Sequence, residues 1–287
     1  MAPEVQHYFD PRTSTLSYVV FDRQSKIGVV IDPVLDFEPQ NAQTSDATIE
    51  PLIRFIEEQG LSIPYVLDTH VHADHFSAMA LIKERYGCKT VIGRHIATVQ
   101  KTFCELYGLS PDELEPDGSQ FDVLLGDEET LDVGPFTIQA LHSPGHTPAC
   151  SAWRIESLLF VGDVLFMPDF GTARCDFPGG SASDLYDSIQ RLYQLPGETE
   201  VFTCHDYQPG GRELRFRSTI EEQRTQNKQL TADTAREAYV AFREERDANL
   251  KLPALMLPAL QVNIRAGALP PPEANGTSYL KIPLNAF

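Results

Sequence analysis

Within six residues, His70, His72, Asp74 and His75 place three imidazoles and a carboxylate side by side. These are the groups that hold zinc and iron. Residues two apart in an extended segment point to the same side, so His70 and His72 can share one ion while Asp74 and His75 face a second position. Three further pieces follow apolar runs downstream: Ser143-Pro144-Gly145-His146-Thr147, then Gly162-Asp163, then Cys204-His205-Asp206-Tyr207. A solitary His146 or His205 would be read as an ordinary polar residue. After the first cluster, both read as site residues, because loops at strand ends on a rigid sheet are where sites are built. His142 reads as a supporting or structural residue, and His7 and His95 as surface or packing residues. The chemistry implied is that of one or two metal ions acting on a bound substrate.

The elements that must position these groups are legible from pattern. Residues 16–21 and 27–31 are β-rich runs and predict an opening hairpin. Residues 48–59 carry Ile49, Leu52, Ile53 and Ile56 at helical spacing, with Gly60 as a stop. A strand over 65–68 runs into the histidine cluster, and a helix over 77–86 follows, closed by Gly87. Strands are expected at 90–92, 121–125, 136–141, 149–155, 158–161 and 200–203, and helices at 97–106, 183–195, 218–230 and 234–248. Two groups of strands with helices outside them predict an α/β fold of αββα sandwich type. Residues 1–250 form the expected catalytic domain. The Pro-rich tail over 251–287 holds enough apolar residues to pack on it as an extension.

Bulk properties narrow the partners. The chain has 287 residues, 42% of them apolar, enough for one well-buried domain. A formal net charge of −18 argues against nucleic acid, whose binding relies on Lys and Arg neutralising phosphates. No apolar stretch approaches the length of a membrane span, and no secretory signal is visible at residues 1–7. Five cysteines without a C-x-x-C pair read as reduced thiols in the cytoplasm, most of them small buried hydrophobes. A monomer and a homodimer both remain open.

The order H-V-H-A-D-H, S-P-G-H-T, G-D and C-H-D-Y resembles the metallo-β-lactamase superfamily across residues 16–207. It looks especially like the glyoxalase II and persulfide dioxygenase branches. The finer match is to the second, through the segment Gly171 to Gly180 with its Arg174-Cys175-Asp176-Phe177, through His205-Asp206-Tyr207, and through a tail similar to that of the bacterial branch. That resemblance implies one Fe(II) per chain, bound by His70, His146 and Asp163, in the arrangement that leaves coordination positions open in non-haem oxygenases. His72, Asp74, His75 and His205 would then orient the ligands, supported by Asp176 and Asp206. Asp74, His205 and Tyr207 are the candidates to act at the reacting atoms, with Tyr207 equally readable as a core tyrosine. Glutathione persulfide and O₂ are the implied substrates, and sulfite and glutathione the products. Arg174 is the family-matched candidate for a glutathione carboxylate, with Arg212, Arg215 and Arg217 as further candidates. The alternative is a glyoxalase II-like thioester hydrolase with two zinc ions.

Overall fold

The computed structural model describes residues 3–286. In chain order its elements begin with β1 (Glu4–Asp10), β2 (Thr15–Asp22), β3 (Ile27–Ile31), β4 (Val34–Glu38), β5 (Gln43–Ser45), α1 (Glu50–Gln59), β6 (Ser62–Leu67) and β7 (Phe76–Ser77). They continue with α2 (Met79–Tyr86), β8 (Lys89–Gly93), α3 (Ile96–Tyr107), β9 (Val123–Leu125), β10 (Thr130–Asp132), β11 (Thr137–His142), β12 (Ser151–Ile155) and β13 (Leu158–Phe160). The remainder are α4 (Ala182–Leu192), β14 (Glu200–Phe202), β15 (Arg217–Thr219), α5 (Ile220–Gln226), α6 (Arg236–Asp247) and α7 (Met256–Asn263).

Two six-stranded sheets form, ordered β1-β2-β3-β6-β8-β9 and β10-β11-β12-β13-β14-β15. Alternation along each strand sends one set of side chains between the sheets and the other under helices. In β2, Tyr18 and Val20 join Trp153, Ile155 and Phe160 in the layer between the sheets. The neighbouring Val19 and Phe21 pack instead with Leu52, Ile53 and Ile56 of α1 and with Phe103 of α3. On the second sheet, Leu159 and Val201 meet Leu185 and Ile189 of α4 and Tyr239 of α6. The result is the expected αββα sandwich. No helix among the described residues is long and apolar enough to cross a membrane.

The opening hairpin forms where predicted, but it gains an outer strand, β1, paired antiparallel with β2 from Glu4 to Asp10. The helix expected from residue 218 starts later. Residues 217–219 pair with β14, and Thr219 then caps α5 with a reciprocal Thr219–Glu222 box. The tail holds a helix, α7, whose Met256, Leu260 and Ile264 side enters the α1–α3 layer while Ala259 and Val262 pack on Phe37 and Phe76.

The two sheets are tied together at one end. The Leu16 amide donates to the Cys204 carbonyl at 2.7 Å, and Thr15 bridges His205. At this end β6, β11, β13 and β14 release the loops that carry the histidines and aspartates.

Candidate metal centre

The histidine-rich loop leaves β6 with its backbone anchored on Asp32, a residue held at φ 50° just after β3. The short polar side chain of aspartate tolerates that left-handed conformation. Asp32 accepts hydrogen bonds from the Thr69 amide at 2.7 Å and the Thr69 hydroxyl at 3.0 Å, and His72 Nε2 lies 3.2 Å from it. Asn263 of α7 holds the other side of the loop, donating to the carbonyls of His72 and His75 at 2.8 Å each.

Two glycines bring the remaining loops close. A Cβ on Gly162, at φ 52°, would sit 2.4 Å from the Thr69 hydroxyl, so only glycine lets Asp163 approach His70. A Cβ on Gly145, at φ 140°, would lie 2.4 Å from the backbone of Leu185, so the loop before His146 rests directly on α4.

Each of the five histidines has one ring nitrogen tied to an acceptor. His146 Nδ1 donates to the Arg174 carbonyl at 2.8 Å, His75 Nδ1 to the Phe76 carbonyl at 3.0 Å and His205 Nδ1 to the Ser14 carbonyl at 3.2 Å. The Thr69 hydroxyl donates to Asp32, so it accepts from His70 Nδ1 at 3.0 Å. His72 Nε2 donates to Asp32. With one proton on each ring, the opposite nitrogens are the lone-pair ones. Among the described residues His72 Nδ1 and His75 Nε2 are fully buried without a partner, while the buried His205 Nε2 and Asp163 Oδ1 face each other at 3.3 Å. Buried polar atoms are almost always satisfied, so this concentration marks a place for a cation. The residues fit a metal.

Geometry divides the donors. One atom each from His70, His146 and Asp163 lies within 4.8 Å of the others, and the same holds for His72, Asp74 and His75. The His72 ring, held by Asp32, lies 4.2 Å between centroids from His70 and equally from His75, so it stands between the two groups. His205 Nε2 stands between Asp74 and Asp163, 3.3 Å from each. Burial and the neighbouring histidines depress the His70 pKa, and burial with His72 brings His75 to about 4. Burial opposes protonation of His72, but Asp32 and then Asp68 and Asp74 outweigh it and raise the ring to about 9. Asp163 and Asp74 likewise raise His205 against its burial.

Above the donors lies a cavity of about 430 Å³. It is lined by His146, Asp163 and Asp74, by Phe166, Phe170 and Tyr207, and by the segment carrying Leu250, Pro253 and Leu255. The Tyr207 ring stacks on His205 at 5.5 Å and meets Phe170 at a tilt of 33°, 4.7 Å between centroids. The residue is 42% exposed, which makes it a wall of the cavity and not a core tyrosine.

Of the arginines expected to bind carboxylate, Arg174, Arg212 and Arg217 are paired with acidic residues of the chain. Arg174 lines the cavity, but its guanidinium grips both oxygens of Asp176 at 2.5 Å and donates to the Lys251 carbonyl at 2.8 Å. Arg212 forks onto Asp169 and onto the buried Asp206. The Arg215 amide also donates to Asp206, so this aspartate braces the turn after His205. Arg217 lies out on β15 beside Glu200. None of Arg212, Arg215 and Arg217 lines the cavity. The readings of His142, His95 and His7 as supporting or packing residues hold: His142 stacks on His95 at 3.9 Å and His7 on Phe216 at 3.7 Å.

Sequence reasoning missed Asp32, Asn263 and Cys204. The Cys204 thiol lies within 4.8 Å of ligand atoms of Asp32 and His72, and also of Asp163 and His205. Its place directly before His205 was the available signal.

Comparison with known proteins gives the family. The metallo-beta-lactamase superfamily model matches residues 10–205. The chain is 46% identical to a probable metallo-hydrolase of Burkholderia pseudomallei over 99% of both chains. It is 48% identical to a beta-lactamase hydrolase-like protein of Xylella fastidiosa, of whose length it spans 65%. It is 32% identical to the mitochondrial persulfide dioxygenase ETHE1 of Mus musculus, over 94% of this chain and 91% of that one. The crystal structure of ETHE1 from Myxococcus xanthus superposes with a TM-score of 0.73 at 30% identity, covering 92% of this chain and all of that one. The chain belongs to the metallo-β-lactamase superfamily and is related to its persulfide dioxygenases over nearly its whole length.

Proposed function

We propose that the protein is a persulfide dioxygenase: glutathione persulfide, O₂ and water give sulfite, glutathione and two protons. The observation that carries this reading is the set His70, His146 and Asp163, two imidazoles and one carboxylate, whose outer members His146 and Asp163 face the cavity. Two histidines and a carboxylate with open positions are the ligand set of non-haem Fe(II) oxygenases. The relationship to proteins named persulfide dioxygenases supports it. Fe(II) held there would supply the redox chemistry by which O₂ oxidises a sulfur atom.

The chain's own residues would do the rest. The Arg174 carbonyl fixes the His146 ring, and the Thr69 hydroxyl fixes His70. In this reading His205 carries a proton on Nε2 and donates to Asp74 and Asp163, directing Asp163 toward the metal. Phe166 and Phe170 keep water from the sulfur end, and the Tyr207 hydroxyl, free of protein partners, donates a hydrogen bond to the substrate.

A second reading has its own support. The unpartnered atoms of His72 and His75 would suit another ion, and a relative at 46% identity is named a metallo-hydrolase. Two zinc ions there would serve thioester hydrolysis. The test is metal content after anaerobic reconstitution, with oxygen uptake and sulfite release from glutathione persulfide. About one iron per chain with sulfite formation is expected. About two zinc per chain, rapid lactoylglutathione hydrolysis and no oxygen uptake by the iron form would reverse the ranking.

A further inference from the structure

Four arginines reach the wall of the cavity: Arg12, Arg174, Arg243 and Arg246. Three are already spent. Arg12 donates to Asp36 and to the Phe37 carbonyl, and Arg174 is held by Asp176 and the Lys251 carbonyl. Arg243, 1% exposed, is locked on Asp247, with Nη2 at 2.7 Å from Oδ1, and on the Thr172 carbonyl and Gln229. Arg246 makes no ion pair or side-chain hydrogen bond among the described residues.

Its mount is nonetheless rigid. Arg246 lies three residues after Arg243 and one before Asp247, in the last turn of α6, and Asp247 also accepts the Cys175 amide at 2.7 Å. The buried Arg243–Asp247 pair thus pins that turn to the loop that follows Arg174, and Arg246 is carried on it with its donors unused. At the metal end, Asp74 and Asp163 repel any further carboxylate. Phe166, Phe170 and Leu250 add apolar surface to the same lining. A ligand with a soft sulfur for the metal and a carboxylate elsewhere therefore finds, among the four arginines of the lining, its one unpaired cation in Arg246.

We propose that Arg246 is the specificity-determining residue that reads a carboxylate of the persulfide's thiol carrier, a role the family resemblance gave to Arg174. This rests on the dioxygenase reading for the nature of the substrate, but not for the presence of a carboxylate site.

The test is calorimetric binding of S-methylglutathione, and of its diethyl ester, to the metal-loaded protein and to Arg246→Ala and Arg246→Lys. A charge-assisted contact at this position predicts that Arg246→Ala weakens S-methylglutathione about 10- to 100-fold. Arg246→Lys should recover part of it. The ester should bind the unsubstituted protein weakly and be indifferent to either substitution, and kcat/KM for glutathione persulfide should fall in parallel. Unchanged affinity in Arg246→Ala would make the residue a solvated cation at a helix end and nothing more, and overturn the proposal. Equal losses for acid and ester, or no binding by the unsubstituted protein, would overturn it too. Carboxylate-dependent binding at Arg246 without oxygen uptake from any persulfide would sink the dioxygenase reading alone.

Discussion

The floor of the cavity and its rim are both made of polar, ionisable side chains, yet they are finished differently. On the floor, the buried His72 and His75 each keep a ring nitrogen without a partner among the described residues. On the rim, guanidinium groups are matched to carboxylates and carbonyls, as Arg174 is to Asp176 and Lys251 and Arg243 is to Asp247 and Thr172. The difference teaches that residue type does not separate a ligand from a brace. Folding uses up the hydrogen-bonding capacity of the paired arginines on the rim and leaves part of it unused on the floor.

The largest expected effect lies on the floor. Alanine at His70, His146 or Asp163 should remove both iron and activity. Alanine at His72 or His75 should leave most of the iron and reduce activity roughly 10- to 100-fold, the range for residues that orient ligands. Metal analysis of the five purified variants decides the matter. Equal metal loss from all five would mean that the whole floor binds ions and that the division between the two donor groups has no functional meaning.

On the rim, Arg174→Ala sharpens the contrast. If the guanidinium is a brace, kcat/KM should fall about tenfold, and to the same extent for glutathione persulfide and for the persulfide of its diethyl ester. Arg174→Lys should restore little, since an ammonium cannot span both oxygens of Asp176 and the Lys251 carbonyl. A loss confined to the carboxylate-bearing carrier would return Arg174 to substrate binding. The smallest effect is expected at Arg217, whose side chain is 62% exposed beside Glu200. Arg217→Ala should change stability by about 0–1 kcal/mol in urea unfolding and leave turnover untouched. A clear loss of turnover would mean that charge well outside the cavity guides the substrate.

The site loops were legible because each of His70, His146, Asp163 and His205 follows a strand by only a few residues, so local pattern sufficed to place them. The sandwich was legible from the alternation of apolar runs. Asp32 and Asn263 were not, since each meets the histidine loop only through tertiary structure. The arginines misled for the same reason: their acidic partners Asp169, Asp206 and Glu200 are chosen by the folded chain. Strands as short as β7 and β15 carry too few residues to show a period. α7 escaped notice because it is apolar nearly all round and holds Pro258 in its first turn, a place where proline costs no helical hydrogen bond.

Asn263 gives the molecule a timetable. It stands 188 residues after His75, whose carbonyl it holds together with that of His72 while its Oδ1 accepts the Ser77 amide. A ribosome adding about 5–20 residues per second needs roughly 10–40 s to travel from one to the other. Throughout that interval the sheet that carries the loop can form, but the clasp that fixes its carbonyls does not yet exist. The metal pocket therefore cannot be completed until α7 has been made.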